Sequence, residues 1–266
     1  MRQVKQLLRI TLKSALVIAF LAGAPCRYVH AESTDTPLIA EQYLLAAANQ
    51  ERVSRGLSKL ERDPVLAQAA QYHAREMAEH GGISHEFPGE PDLSVRGFNA
   101  GAHFSLISEN VAEAPDSVLI HDMWMHSEGH RANLLDPNVN VVGISVIVHD
   151  EQLYAVEDFA STVETMTLNQ QESTVANLLA RSGLTIGNVG TSLDDARQTC
   201  VRPMGHPGSS KPWFIMRYTA SSLGELPSEL KTRLSSGKYH QAMVGACSAT
   251  DVGPFSAYNI AVLLYP

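Results

Sequence analysis

Beyond its first 31 residues this chain has no run rich in lysine or arginine, which argues against nucleic acid and anionic membrane surfaces as partners. Five of the 20 Lys and Arg (Arg2, Lys5, Arg9, Lys13 and Arg27) fall in those residues, and none of the 28 Asp and Glu. That leaves 15 basic against 28 acidic groups, a net of −13. A run long enough to cross a bilayer is missing as well: "ALVIAFLAGA" at 15–24 falls short of the roughly 20 apolar residues a span needs. It lies between a basic start and "VHA" at 29–31, the pattern of a secretory signal peptide over 1–31, cleaved after Ala31. The mature protein is then secreted or periplasmic, with no stable membrane span. A lipoprotein acylated at Cys26 is the weaker reading, because Pro25 stands where a small, unhindered residue is expected.

Cysteine is scarce. Of three, Cys26 leaves with the signal, and Cys200 and Cys247 remain. In an exported chain the simplest expectation is one disulfide, the alternative being two separate buried thiols. Serine–histidine chemistry has no support, since "GHPGSS" at 205–210 is a loop and not a strand–turn–helix. The zinc-protease helix is absent too. "HDMWMHSEGHRANLL" at 121–135 places His126 and His130 four apart, but the acid does not follow the first histidine as His-Glu-x-x-His requires. Gly129 occupies the acid's place in the inverted form and predicts that a helix stops before His130.

What is present is a run of well-marked elements. "LIAEQYLLAAANQERVSRGL" (38–57) predicts a helix stopped near Gly56. "RDPVLAQAAQYHAREMAEHGG" predicts another, capped by Asp63, with Pro64 in its first turn and Gly81 at its end. His73 falls on that helix's apolar stripe with Leu66, Ala69, Ala70 and Met77, as a packed, hydrogen-bonded histidine. The stretch 82–115 reads as loop-rich apart from "ISENVAEA". A helix opening at Asp116 follows, and then two strands joined by a turn at 149–152. These elements imply a compact α+β domain of packed layers. A polar segment at 161–173 reads as a linker to a further region with closing strands "QAMVGACSA" and "AYNIAVLLYP". Their faint likeness to the first pair fits either a degenerate internal repeat or two generic buried hairpins.

His85 in "ISHEF", Glu109 in "SEN" and His130 form the candidate site, expected to converge from three loops. Two imidazoles and a carboxylate suit a divalent transition metal such as zinc, with solvent in the open position. A hydrogen-bonded network that only orders the loops is the competing reading.

The segments "NQERVSRGLSKLERDPVLAQAAQYHAREMAEHGGISH", "SENVA" and "WMHSEGHRANLLDPNVNVVGISV" together resemble the CAP (SCP/PR1-like) superfamily in its bacterial form, over about 40–160. The resemblance implies an α-β-α sandwich over 38–163, followed by a smaller C-terminal α+β region over 170–266 whose role is open. It also implies a cleft with His85, His130 and Glu109 as three of four tetrad residues, and in some members a zinc or other divalent ion held by the histidines. The second acid departs from the pattern: Ser127 occupies its place and Glu128 is next door, so a four-residue mechanism is in doubt. Asn110 and Arg131 are expected to support the cleft, Asn133 to cap the turn before "LLDPN", and Trp124 to fill the core.

Three functions follow as expectations. The leading one is an extracytoplasmic binding or cell-envelope module whose cleft holds a divalent ion. The others are a metal-dependent hydrolase with Glu109 or Glu128 as base, and a lipid or hydrophobic-ligand binder. In the C-terminal region, Trp213 and Phe214 are expected in a core strand.

Overall fold

In the computed structural model, residues 39–188, 190–248 and 253–266 are described; the signal segment and its cleavage site lie outside them. The described residues cluster as one compact unit, of α+β class, holding two four-stranded sheets. The first half runs α1 (Ile39–Ser54), β1 (Glu61–Arg62), α2 (Pro64–His80), α3 (Leu93–Ala100), β2 (Phe104–Ala114), α4 (Ser117–His126), α5 (Glu128–Leu134), β3 (Val141–His149) and β4 (Gln152–Thr162). The second runs α6 (Leu168–Arg181), β5 (Thr185–Ile186), α7 (Leu193–Val201), β6 (Phe214–Ala220), α8 (Ser228–Leu234), β7 (Gln241–Cys247) and β8 (Tyr258–Tyr265).

The first sheet has the order β1-β3-β4-β2, with β1 parallel to β3 and the other pairs antiparallel. One face packs against α2, the other against α1, α4 and α5, which makes an α-β-α sandwich. Leu44, Trp124, Leu134, Ile144 and Phe159 fill the α1/α4/α5 side. Ala70, Ala74, Met77, Val111, Tyr154 and Val156 fill the α2 side. Where α2 crosses β3, Gly143 is obligatory: a Cβ there would lie 2.2 Å from the backbone carbon of Leu66. Arg52 on α1 is buried and donates to the carbonyls of Ser58, Leu134, Asp136 and Val139, so one guanidinium closes the loop after α5 onto α1. Desolvation lowers its pKa without discharging it.

The caps of α2 match expectation. Asp63 accepts from the N–H groups of Val65 and Leu66, and Gly81 ends the helix in the left-handed region at φ 64°. Other expectations need correction. The loop-rich stretch contains α3, capped by Asp92 and closed by Gly101, and the eleven-residue β2. The segment 161–173 is mostly the end of β4 and the start of α6, so the connection is only residues 163–167. Gly129 does not stop a helix: α4 ends at His126, Ser127 turns the chain, and α5 carries Gly129 and His130. Trp213 is 62% exposed, outside the core expected for it.

The second sheet repeats the first's order, β5-β7-β8-β6, again with a two-residue outer strand running parallel. Its core gathers Val175, Leu179, Leu230, Val244, Ile260 and Val262. Cys200 of α7 and Cys247 of β7 form a disulfide.

Candidate functional site

Strand β2 lies at the outer edge of its sheet, and its alternation sets up the site. Glu109 points to the α2 side and Asn110 to the α5 side. Around this edge stand His85, in the loop after α2, and His130 on α5, with ring centroids 6.4 Å apart. His85 Nδ1 lies 2.8 Å from Glu109 Oε1, and the other carboxylate oxygen accepts from Arg96 of α3. Glu109 and Arg96 side chains are almost wholly buried, while that of His85 is 62% exposed. A buried carboxylate thus holds an imidazole that reaches solvent.

Behind that pair lies a second shell of charge. His73, fully buried on α2, has Nδ1 2.6 Å from Glu90 Oε1 and donates from Nε2 to the Ser84 carbonyl at 2.7 Å. Arg96 also donates to the carbonyls of His85 and Pro91, fixing the loop that presents His85. Asp158 on β4 is the cross-strand partner of Glu109 and is fully buried. Burial first, and the neighbouring Glu109 charge second, push its carboxyl well above the usual range. Its carboxyl is thereby biased toward the protonated form beside the Glu109 carboxylate. Glu157 beside it faces the other side of the sheet, and neither of its oxygens has a hydrogen-bond partner among the described residues. Burial pushes its pKa up to about 8.

The two candidate histidines titrate in opposite directions. The hydrogen bond to Glu109 raises His85 despite the opposing effect of burial. Burial, and secondarily His85, lowers His130.

The remaining sequence candidates separate. Asn110 donates from Nδ2 to the His130 carbonyl at 3.0 Å and so fixes α5 against β2. Asn133 does not cap the turn after α5; its amide donates to the Glu109 carbonyl and to Asn110 Oδ1. Arg131 donates to the Met125 carbonyl, bracing the α4–α5 junction from outside the His–Glu pair. Trp124 is fully buried, with Nε1 donating to the Val111 carbonyl. Glu128 is exposed in the first turn of α5, and His126 is 78% exposed beside Asp122. Glu109 has both oxygens engaged, by His85 and by Arg96. Among the described residues no group of three or more His, Cys, Asp or Glu is disposed to hold a metal ion. Sequence reasoning missed Glu90, Arg96 and Asp158. The two consecutive acids inside the apolar run "LYAVEDFA" were the available signal for the last.

A three-layer α-β-α sandwich with a His–Glu pair on an edge strand defines the class of this half of the chain. Residues 45–163 match the CAP family, described as the cysteine-rich secretory protein family. This part of the chain is a CAP/SCP-like domain with bacterial relatives. It is 30% identical over 129 residues to YkwD of Bacillus subtilis, covering 44% of this chain and 49% of that protein. It is 32% identical over 111 residues to the Bacillus subtilis membrane protein YlbC, covering 40% of this chain and 31% of that one. The chain thus spans about half, or less, of the length of these relatives. Among solved structures, an extracellular SCP-domain protein from Bacillus anthracis is 29% identical at a TM-score of 0.42, covering 46% of this chain and 40% of that chain. An outer surface protein from Borrelia burgdorferi is 20% identical at 0.44, covering 46% of this chain and 92% of that chain. No helix among the described residues is long and apolar enough to cross a membrane.

Proposed function

We propose that the protein is an extracytoplasmic binding module, exported by cleavage after Ala31, whose cleft holds a divalent transition metal such as zinc on His85 and His130. The observation that carries this reading is the Arg96–Glu109–His85 chain of hydrogen bonds. A carboxylate on Nδ1 fixes the tautomer and ring orientation and leaves Nε2 as the free ligand atom, the arrangement typical of metal-bound histidine. His130, lowered by burial, supplies a neutral imidazole. On this reading Glu109 orients a ligand and does not itself bind the metal, and solvent completes the coordination. The metal's chemistry, if any is used, would be that of a Lewis acid acting on bound water. Glu128, exposed on α5, lends little support to a hydrolase. The biological ligand is extracellular or in the cell envelope.

We further propose that residues 38–163 form one domain and 170–266 a degenerate second copy of it. The common strand order supports this, as does a shared anchor. Glu41 of α1 accepts from the Val146 N–H of β3, and Glu172 of α6 accepts from the Ala246 N–H of β7.

The test of the metal site is zinc titration by calorimetry on the chain from residue 32, beside the His85→Ala/His130→Ala double variant. One-to-one binding in the parent and none in the variant is expected. Because Glu109 raises His85, protons compete from above the ordinary imidazole value of about 6.5. Affinity should therefore fall as pH drops through that raised value. Equal heats from parent and variant would overturn the metal site.

A further inference from the structure

The face of the second sheet that packs against α7 is only partly covered. In the first sheet α2 has 17 residues and runs the length of its face, burying Val111 and Tyr154. In the second, α7 has 9 residues, which makes it about 12 Å shorter. Strand pairing identifies the positions left bare. Glu61 pairs Val141 and Thr185 pairs Gln241, so β3 and β7 run in matching register. Following the ladders outward, Cys247 stands where the first sheet has Ile147, Asn259 where it has Tyr154, and Arg217 where it has Val111. Beyond the end of α7 these residues line an open cavity of about 450 Å³, with Arg202, Thr219 and the Cys200–Cys247 disulfide.

This cavity is polar where its counterpart is apolar, and its charge is of one sign. Arg217 is pinned by two backbone carbonyls: Nε donates to Thr199 at 2.6 Å and Nη2 to Gly205 at 2.6 Å. Its Nη1 has no acceptor among the described residues. Among the described residues the one side-chain hydrogen bond of Arg202 is a long one, Nη2 to Gln198 Oε1 at 3.5 Å. No carboxylate among the described residues pairs with either guanidinium, although the whole chain carries a net charge of −8. Burial alone lowers the pKa of Arg217, with no acid opposing it. Asn259 accepts from Thr219 Oγ1 at 2.7 Å through Oδ1, so its Nδ2 remains a donor. Two guanidiniums with no carboxylate partner among the described residues, and an amide donor, line one cavity and match the charge and acceptor chemistry of a divalent oxyanion.

We propose that this cavity beyond α7, floored by Arg217 and Asn259 and flanked by Arg202, is a binding site for a phosphate group. It stands independently of the His–Glu cleft. Rigid anchoring of Arg217 by carbonyls leaves its free edge set in advance, which lowers the ordering cost of binding.

The test is calorimetric titration of the exported chain at low ionic strength with inorganic phosphate, glycerol 2-phosphate and acetate. Saturable one-to-one binding of phosphate is expected, with acetate about tenfold weaker because it carries half the charge. Tighter binding of glycerol 2-phosphate than of phosphate would identify an ester as the natural form, and the reverse order the free ion. Arg202→Gln should weaken phosphate about tenfold or more. Arg217→Lys, which keeps the charge and loses the fork, should weaken it comparably. The Arg202 side chain makes only that long hydrogen bond among the described residues, so its variant keeps the test valid if Arg217→Lys fails to fold. The His85→Ala/His130→Ala variant should bind phosphate unchanged. No saturable phosphate binding, acetate binding as tightly as phosphate, or a folded Arg202→Gln protein that binds like the parent would each overturn the site.

Discussion

The two sheets solve one folding problem with different interiors. Each places a two-residue strand parallel at one side, a long hairpin in the middle and a single strand at the far edge. Each donates a backbone N–H of a central strand to a carboxylate on the first helix of its half, Glu41 or Glu172. Yet where the first sheet carries Glu109 opposite Asp158, the second carries Ile215 opposite Leu263. Beside them Glu157 of the first sheet is matched by Val262 of the second. Burying acids costs stability unless each finds a counter-charge or keeps a proton. In the first sheet Arg96 and His73 stand beside the set and burial biases Asp158 toward its protonated form, whereas the second carries no acid at the matching positions. That difference supports the proposal that the site belongs to the first sheet. The second spends its polar groups at the uncovered end, and the disulfide fastens its short helix.

The sharpest way to break the comparison is at the helix crossings. A Cβ on Gly143 would meet the Leu66 backbone at 2.2 Å, and one on Gly245 would meet the Ala196 backbone at 2.1 Å. Backbone cannot rotate aside as a side chain can. Gly143→Ala and Gly245→Ala should each cost about 3 kcal/mol or more, measured by urea unfolding. A cost near zero at Gly245 alone would mean that α7 is loosely seated and that the likeness ends at strand order.

Next in size is the pH response of the first sheet. Glu157 has a folded pKa of about 8, against an ordinary value of 4.5. The folded state therefore binds this proton more tightly than the unfolded one. Its contribution is fully present below pH 4.5 and is lost as pH rises to about 8. Glu157→Gln removes that loss, so the variant should be more stable than the parent by about 2 kcal/mol above pH 8 and should respond less to pH between those limits. The second sheet, with Val262 at the matching position, has no such group, and Val262→Leu should leave the pH profile unmoved. Urea denaturation at a series of pH values checks both, and a parent profile as flat as the variant's would show that Glu157 finds a partner.

Local signals explain which parts of this were legible beforehand. Helix α2 was readable because Asp63, Pro64 and Gly81 mark its ends within the sequence itself. The β3–β4 hairpin was readable because an apolar run, a polar turn and a second apolar run are local. Helix α3 was not, since eight residues scarcely complete two turns and its sequence is set among Gly, Pro and Asn. Strand β2 was hidden for a functional reason: Glu109, Asn110 and Glu113 interrupt the apolar alternation that identifies a strand. His85, Glu109 and His130 were legible as two imidazoles and a carboxylate suited to one site, and the family resemblance agreed with that choice. Arg96 had no pointer and Asp158 only the paired acids of "LYAVEDFA", because their roles exist only once α3 and β4 are brought against β2. Trp213 was misjudged on composition, since an aromatic at a strand end is apolar enough for a core and free enough to stand outside it.

The smallest effect concerns the hairpin turns. Strands β3 and β4 are joined by Asp150 and Glu151, both left-handed, at φ 47° and 63°. A two-residue turn of that hand matches the twist of its strands, but side chains there are strained by roughly 1 kcal/mol each, less for Asp than for Glu. The corresponding strands β7 and β8 are separated in sequence by residues 248–257 instead of two residues. Replacing Asp150-Glu151 by Asn-Gly should stabilise the protein by about 1 kcal/mol, raising the urea midpoint without changing the slope. The zinc titration should not change, because the turn lies at the end of the hairpin, far along both strands from Asp158. A gain in stability with unchanged metal binding separates the frame of the first sheet from its site. A turn substitution that altered zinc binding would show that frame and site are coupled through the length of β4.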